Sequence, residues 1–283
     1  MSPDAFETEA AAIAADRATG AADLARRALA ALAESARAAP ADDVGGLRAL
    51  LERRAYRLAD SRPSMAPMAT LPRRFLQALG AEEARDLAQL RARAAEIAES
   101  LIERSRGAAG EAAAAAARRI GPGRTVATLS DSSTVRRALA HLAPDVRVIV
   151  GEARPLCEGA ALASHLAGEG IEVALVTDAQ LALAMTEADA ALIGADALTL
   201  RGDTVNKVGS HLLALAAAAA AKPFFVVAES FKRWPADAPA PVFEEMDPAE
   251  LGHRLDAAVR QRNVYFETVP AALITEIVTE ESV

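Results

Sequence analysis

After Pro122 short apolar runs recur at near-regular intervals, and this alternation constrains the fold more than any other feature of the chain. The runs are "TVATLS" (125–130), "VRVIVGE" (146–152), "EVALVTD" (172–178), "AALIGAD" (190–196) and "FFVVAE" (224–229). Between them lie helical stretches such as "STVRRALAHL", "EGAALASHLAGEG" and "GSHLLALAAAAAA". Strand runs that alternate with helical patterns specify β-α-β units, hence a parallel sheet with helices packed on it. The runs are apolar almost throughout, as burial on both faces of such a sheet requires. A last segment, "VYFETVPAALITEIVTE" (264–280), adds a further strand and turn.

Before Pro122 the texture differs. Residues 5–35 and 82–120 carry apolar side chains at i, i+3, i+4 and i+7, and Ala, Leu, Arg and Glu are strong helix formers. Breaks fall at "AAPADDVGG" (38–46) and at "DSRPSMAPMATLP" (60–72), the second read as a stiff, apolar, non-helical segment. The expected architecture is α/β: an N-terminal helical domain over 1–120, then a Rossmann-like parallel-sheet domain over 121–283.

Charge and cysteine content narrow the chemistry. A net charge of −8 gives no general attraction to nucleic acid or to an anionic membrane. An anionic ligand must therefore be held by local cations and backbone N–H groups. The single cysteine, Cys157, excludes an internal disulfide and a cysteine-based zinc site. The four histidines show no metal-ligand spacing, so neither a metal nor another cofactor is expected. The start "MSPDAFETEAAA" lacks the basic-then-apolar order of a signal peptide, and no uncharged apolar run reaches the ~20 residues of a membrane span. A reducing cytoplasm is the expected location.

In open parallel sheets ligands bind outside the carboxyl ends of the strands. Those ends are polar here: Ser130 to Ser133 after the first run, Glu152 and Arg154 after the second, Thr177-Asp178 after the third, Gly194-Ala195-Asp196 after the fourth, and Glu229 with Lys232 after the fifth. Plain structural roles compete. Ser132 or Ser133 would serve as an N-cap, Asp178 likewise, and Arg154 could pair with Glu152 at the rim. The stretch "GADALTLRGDTVNKVGSHLLAL" carries more weight. Asp196 follows a buried strand, Gly202-Asp203 makes a turn, and Asn206-Lys207 is placed at the start of an Ala-rich helix. A lysine at that end is unfavourable unless an anion sits there, which points to a phosphate or carboxylate ligand. No G-x-G-x-x-G or G-x-x-x-x-G-K-[ST] follows a strand, so dinucleotide and P-loop sites are excluded.

"TGAADLARRAL" (19–29), "SRPSMAPMATL" (61–71), "GEARPLCEGAALASHL" (151–166), "VTDAQLALAM" (176–185), "IGADALTLRGDTVNKVGSHLLAL" (193–215) and "NVYFETVPAALITEIVTE" (263–280) together resemble one superfamily. It contains methylthioribose-1-phosphate isomerase, ribose-1,5-bisphosphate isomerase and the alpha, beta and delta subunits of translation initiation factor 2B. The resemblance implies a homodimer formed through the α/β domain, and a ligand that is a phosphorylated sugar or a nucleotide. It implies Asp196 as an acid/base group, with Gly20, Arg62, Pro63, Ser132, Ser133, Arg154, Asn206 and Lys207 around phosphate and sugar hydroxyls. Cys157, Glu152 and Asp178 are secondary candidates. The segment at 60–72 becomes, on this comparison, a wall of the site.

Two departures stand out. The isomerases keep a reactive cysteine where this chain has Ser130, and an N-terminal Arg-Gly-Ala appears here as Thr19-Gly20-Ala21. A thiol is readily tuned near neutrality, whereas an alcohol needs an adjacent base. Asp131 follows Ser130, but neighbours on an extended segment point apart. Cys157 belongs to a different helix start and is no simple substitute. The resemblance thus leaves two expectations: an aldose–ketose isomerase working through Asp196 and Ser130, or a non-catalytic ligand sensor.

Overall fold

The computed structural model describes residues 5–17, 19–236, 240–243, 245–256 and 258–282. The ends of the expected domains, residues 1–4 and 283, lie outside the described residues. Two compact units emerge: residues up to Gly107 together with Phe231–Pro241, and Ala108–Ser230 together with Val242 onward. The division falls inside the long helix before residue 120, and a segment from late in the chain returns to the helical unit.

The helical unit contains α1 (Ala5–Ala15), α2 (Ala21–Ala38), α3 (Val44–Ala59), α4 (Ala66–Gly80) and the first part of α5 (Leu87–Ile120). Leu24, Leu29, Leu32, Leu47, Leu51, Leu58, Met68, Leu71 and Phe75 are fully buried, and replacing one such leucine by alanine costs about 3 kcal/mol. Asp43 starts α3 by accepting the Gly46 N–H at 2.7 Å. The expected break at 60–72 is shorter than read. It ends at Met65, because Pro67 stands in the first turn of α4, where its missing N–H costs nothing. Pro72 is then tolerated inside that helix. The returning segment is held by Arg74 stacked 4.5 Å over the Phe231 ring. Thr70 Oγ1 also donates to the Arg233 carbonyl at 3.4 Å. At the unit's surface Arg93 donates to both oxygens of Glu82, at 3.0 and 2.9 Å. Those hydrogen bonds hold the Glu82 carboxyl below its ordinary range and push the guanidinium still higher.

The second unit is built on β1 (Arg124–Leu129), β2 (Val146–Gly151), β3 (Glu172–Val176), β4 (Ala190–Ile193), β7 (Phe224–Val227) and β9 (Glu276–Val278). These form a six-stranded sheet in the order β3-β2-β1-β4-β7-β9, parallel at every pairing. The order is that of a doubly wound sheet, with its switch point between β1 and β4. One face is covered by the end of α5, α6 (Ser133–Ala140) and α7 (Glu158–Gly168). The other is covered by α8 (Leu181–Glu187) and α9 (Ser210–Ala219). The core is aliphatic and alanine-rich, so helices can approach the sheet closely.

Two features exceed the sequence reading. The tail contributes two strands: β8 (Phe266–Val269), and β9 at the sheet edge beside β7. A second, antiparallel sheet of three strands, β5 (Ala197–Leu198), β6 (Thr204–Lys207) and β8, sits between β4 and α9 in the chain path. Its hairpin turns at Gly202, which takes a φ of +84° that L side chains rarely adopt.

Candidate functional site

The switch point places the ends of β1 and β4 side by side, and two glycines bring the flanking segments into contact. A Cβ on Gly194, just past β4, would lie 2.5 Å from Ser132 Oγ, so the Ser130–Ser133 turn packs directly on the stretch that leads to Asp196. A Cβ on Gly159 would lie 2.0 Å from the Gly151 carbonyl oxygen. That approach seats the start of α7 against the end of β2, where the Gly159 N–H reaches the Glu152 carbonyl at 3.0 Å.

Backbone strain collects at the same edge. Of the four non-glycine residues with positive φ among the described residues, Ser130 (+62°), Ala153 (+60°) and Cys157 (+57°) all follow β1 or β2. Each such residue costs about 1–3 kcal/mol and persists where the surroundings impose it. Ser130 is therefore not on an extended segment, and the expected divergence of its side chain from Asp131 does not apply. Its N–H donates to the Gly151 carbonyl at 3.4 Å. Ser132 is the N-cap of α6, its Oγ accepting the Val135 N–H, and Ser133 is the first helical residue. At a helix start the next N–H groups, those of Ser133 and Thr134, have no intrahelical acceptor. Asp131 Oδ1, Thr128 Oγ1 and Thr134 Oγ1 are buried without a hydrogen-bond partner among the described residues.

Asp178 does more than cap a helix. Its two carboxylate oxygens accept the N–H groups of Ala153 at 2.9 Å and Arg154 at 2.7 Å, fixing the strained loop after β2, while Thr177 performs the capping. The Arg154 guanidinium, exposed at the rim, donates to the Leu251 carbonyl at 2.8 Å instead of pairing with Glu152. Cys157 is the left-handed N-cap of α7, its Sγ 3.7 Å from the Pro155 carbonyl. Glu152, half-buried, sends its N–H to the Val176 carbonyl.

Asn206 and Lys207 correct the sequence reading most. They lie on β6, not at a helix start, and successive strand residues project to opposite faces. The helix start that follows is closed by an internal carboxylate: Glu267 Oε1 accepts the N–H groups of Gly209 at 2.7 Å and His211 at 2.8 Å. Asn206 Nδ2 donates to Ser210 Oγ, which donates onward to the Lys207 carbonyl at 2.6 Å, tying β6 to α9. The Lys207 ammonium is 2.5 Å from Glu158 Oε1 and 4.4 Å from the Tyr265 ring centre. Asp196 precedes β5, and its N–H bonds to the Val205 carbonyl at 2.8 Å; continuing that register places it across from Asn206.

The other candidates belong to the helical unit. Arg62 is buried and donates through Nη1 to the Asp16 carbonyl. The same aspartate accepts the Thr19 N–H at 2.9 Å and an Arg27 N–H at 2.8 Å, so Asp16 organises the turn before Gly20. Gly20 is the N-cap of α2 with open space around it, and Pro63 is half-buried beside Arg62.

Sequence reasoning missed Glu158, Tyr265, Glu267 and Asp16. For Glu158 a signal existed: a lysine buried in a chain that has only three needs a carboxylate nearby. At the opposite, amino-terminal edge of the sheet an open cleft of about 600 Å³ is lined by Arg124 and Arg147 among others. Both arginines already face carboxylates, Asp189 and Glu172. No helix among the described residues is long and apolar enough to cross a membrane.

A doubly wound parallel sheet with polar residues at its switch point defines a Rossmann-like α/β unit, here accompanied by a helical unit. The chain belongs to the initiation factor 2 subunit family, whose model matches residues 17–283. It is similar to the crystal structure of translation initiation factor eIF-2B from Pyrococcus horikoshii, with a TM-score of 0.83 and 30% identity over 99% of this chain and 96% of that one. It is 32% identical to methylthioribose-1-phosphate isomerase of Desulfitobacterium hafniense, over 85% of this chain and 76% of the relative. Ribose 1,5-bisphosphate isomerase of Methanocaldococcus jannaschii is 30% identical, over 79% of this chain and 73% of that protein.

Proposed function

We propose that the chain binds a phosphorylated sugar at the switch point of its sheet and interconverts its aldose and ketose forms. The observation that carries this reading is the packing of the Ser130–Ser133 turn on Gly194, which sets the start of α6 beside the segment bearing Asp196. A helix start with hydroxyls at its cap and first position suits a phosphate, and Arg154 at the rim adds a cation that can leave a carbonyl for an anion. Asp196 is the proton shuttle, with the Ser130 hydroxyl as its partner and Cys157 as the second candidate for that role. Two relatives named as sugar-phosphate isomerases support the reading.

One observation favours a second reading, a ligand sensor without turnover. Ser130 stands where the resemblance places a cysteine, and losing one acid/base partner forfeits about 10²–10⁴ in rate. Incubation with ribose 1,5-bisphosphate or methylthioribose 1-phosphate, followed by NMR for the ketose, separates the two. Ketose that disappears in Asp196→Asn establishes the enzyme. Thermal stabilisation by these ligands without ketose establishes the sensor. No stabilisation by any phosphorylated sugar or nucleotide sinks both.

The working form is a homodimer in a reducing cytoplasm. On the packed pair α8 and α9, Leu183, Leu212 and Leu215 are 60, 45 and 50% exposed, an apolar face suited to a second copy. Leu215→Glu then sediments as a monomer, and a wild-type chain that is itself monomeric refutes this assignment.

A further inference from the structure

Asp178 puts a negative charge beside the loop that carries Arg154, which is out of place at the edge of an anion site unless the carboxylate is engaged elsewhere. The loop after β2 engages it. Three successive N–H groups of that loop are taken by the end of β3. The Val176 carbonyl accepts from Glu152 at 2.9 Å, and the two Asp178 oxygens accept from Ala153 at 2.9 Å and Arg154 at 2.7 Å. Ala153 is fully buried at a φ of +60°, a left-handed conformation that its surroundings must impose. Gly151 makes room for the clamp, since a Cβ there would lie 3.3 Å from Asp178 Oδ1 and 2.9 Å from Leu181 Cδ2. The single turn Asp178–Gln180 is closed without this carboxylate, by Gln180 Oε1 accepting the Thr177 N–H at 3.3 Å.

The Arg154 side chain is tied more lightly than its backbone. Its guanidinium is exposed and donates to the Leu251 carbonyl at 2.8 Å, a neutral acceptor weaker than an anion. Where the guanidinium reaches from is therefore set by the loop, and the loop is set by Asp178. A long side chain magnifies any shift at its root, so a loop that relaxed from its left-handed turn would aim the cation elsewhere. We infer that Asp178 is a positioning residue, which touches no ligand but fixes the backbone from which Arg154 reaches the phosphate. The assignment deepens the proposed function and rests on it, since it presumes an anion at the switch point.

Electrostatics alone and the clamp predict opposite signs for Asp178→Asn. Removing a negative charge near an anion tightens its binding, whereas losing one of two acceptors frees the loop and weakens it. Calorimetric titration of the full chain with ribose 1-phosphate reads the sign. Affinity falls on the order of tenfold in Asp178→Asn and by a similar factor in Arg154→Gln, about one charge-assisted hydrogen bond each. In the double variant the second loss is absent, because no guanidinium remains to be positioned. A merely structural aspartate would weaken binding equally with or without Arg154. Gln180→Ala opens the same turn but spares the clamp, and it keeps wild-type affinity. If Asp178→Asn does not fold, Asp178→Glu takes its place: it keeps the charge but not the reach, and weakens binding with the same dependence on Arg154. Undiminished affinity in the folded Asp178 variant or in Arg154→Gln, additive losses in the double variant, or an equal loss in Gln180→Ala overturns the positioning role and leaves phosphosugar binding standing. A wild-type chain that binds no ribose 1-phosphate overturns the proposed function, and the positioning role with it.

Discussion

Helices α6 and α9 both start at the carboxyl-terminal edge of the sheet, and their first turns are finished in opposite ways. The α6 turn is capped by a neutral hydroxyl, Ser132 Oγ on the Val135 N–H, with another serine at its first position. The α9 turn is capped by a carboxylate, Glu267 Oε1 on two N–H groups. A carboxylate already satisfies the positive end of a helix dipole, so an external anion gains nothing there. A hydroxyl cap leaves that end to be satisfied by a ligand. On the proposed function the two helix starts divide the edge into a half open to a ligand and a half whose helix start is closed from within, although the α9 half carries the lysine that first suggests an anion.

The largest way to break this division is to remove the internal anion. Glu267→Ala should destabilise the chain by about 3 kcal/mol, since two hydrogen bonds to a charged acceptor are lost. A denaturant midpoint measures this, and millimolar inorganic phosphate should restore part of the loss by standing in for the carboxylate. An unchanged midpoint would mean that Glu267 contributes nothing and the division is false. Next in size is Gly194→Ala. The added Cβ would fall 2.5 Å from Ser132 Oγ and 2.9 Å from Ser132 Cβ, so the serine must move and the α6 cap with it. About 2 kcal/mol of stability should go, from strain and the lost cap together. Unaltered stability and ligand-induced thermal stabilisation in this variant would refute the close packing as the feature that builds the site.

The contrast between the two helix starts also marks how far the sequence is legible. The parallel strands and their helices are readable, because "VRVIVG" and "FFVVAE" are apolar almost throughout and the helical runs are not. The polar strand ends follow from the same register, and Ser132 as a cap is local chemistry within three residues. Glu267, by contrast, reaches across 56 residues to His211, and no local pattern encodes that contact. Lys207 looks like a helix-start cation for the same reason. The short strand β6 that carries it is defined only by its pairing with β5 and with β8, which comes from the tail. Nor does a serine announce a left-handed backbone at position 130, a conformation that glycine would have signalled. The strand register brings out most of the candidates and the family resemblance adds Gly20, Arg62 and Pro63, but neither tells which of them are already paired.

The smallest change sharpens the comparison most cleanly, because stability and binding should move in opposite directions. Ser133→Asp places a carboxylate in the first turn of α6, much as Glu267 serves α9. An acid in a helix's first turn is favourable by about 0.3–1 kcal/mol, so the denaturant midpoint should rise slightly. The same charge opposes an incoming phosphate, and affinity for ribose 1-phosphate should fall by at least roughly tenfold, about 1.4 kcal/mol. A structural reading of the Ser130–Ser133 turn as a mere cap predicts the stability gain and no loss of binding. Calorimetry beside a urea titration on one preparation distinguishes the two. A variant that gains stability and keeps its affinity would leave α6 no more a ligand site than α9.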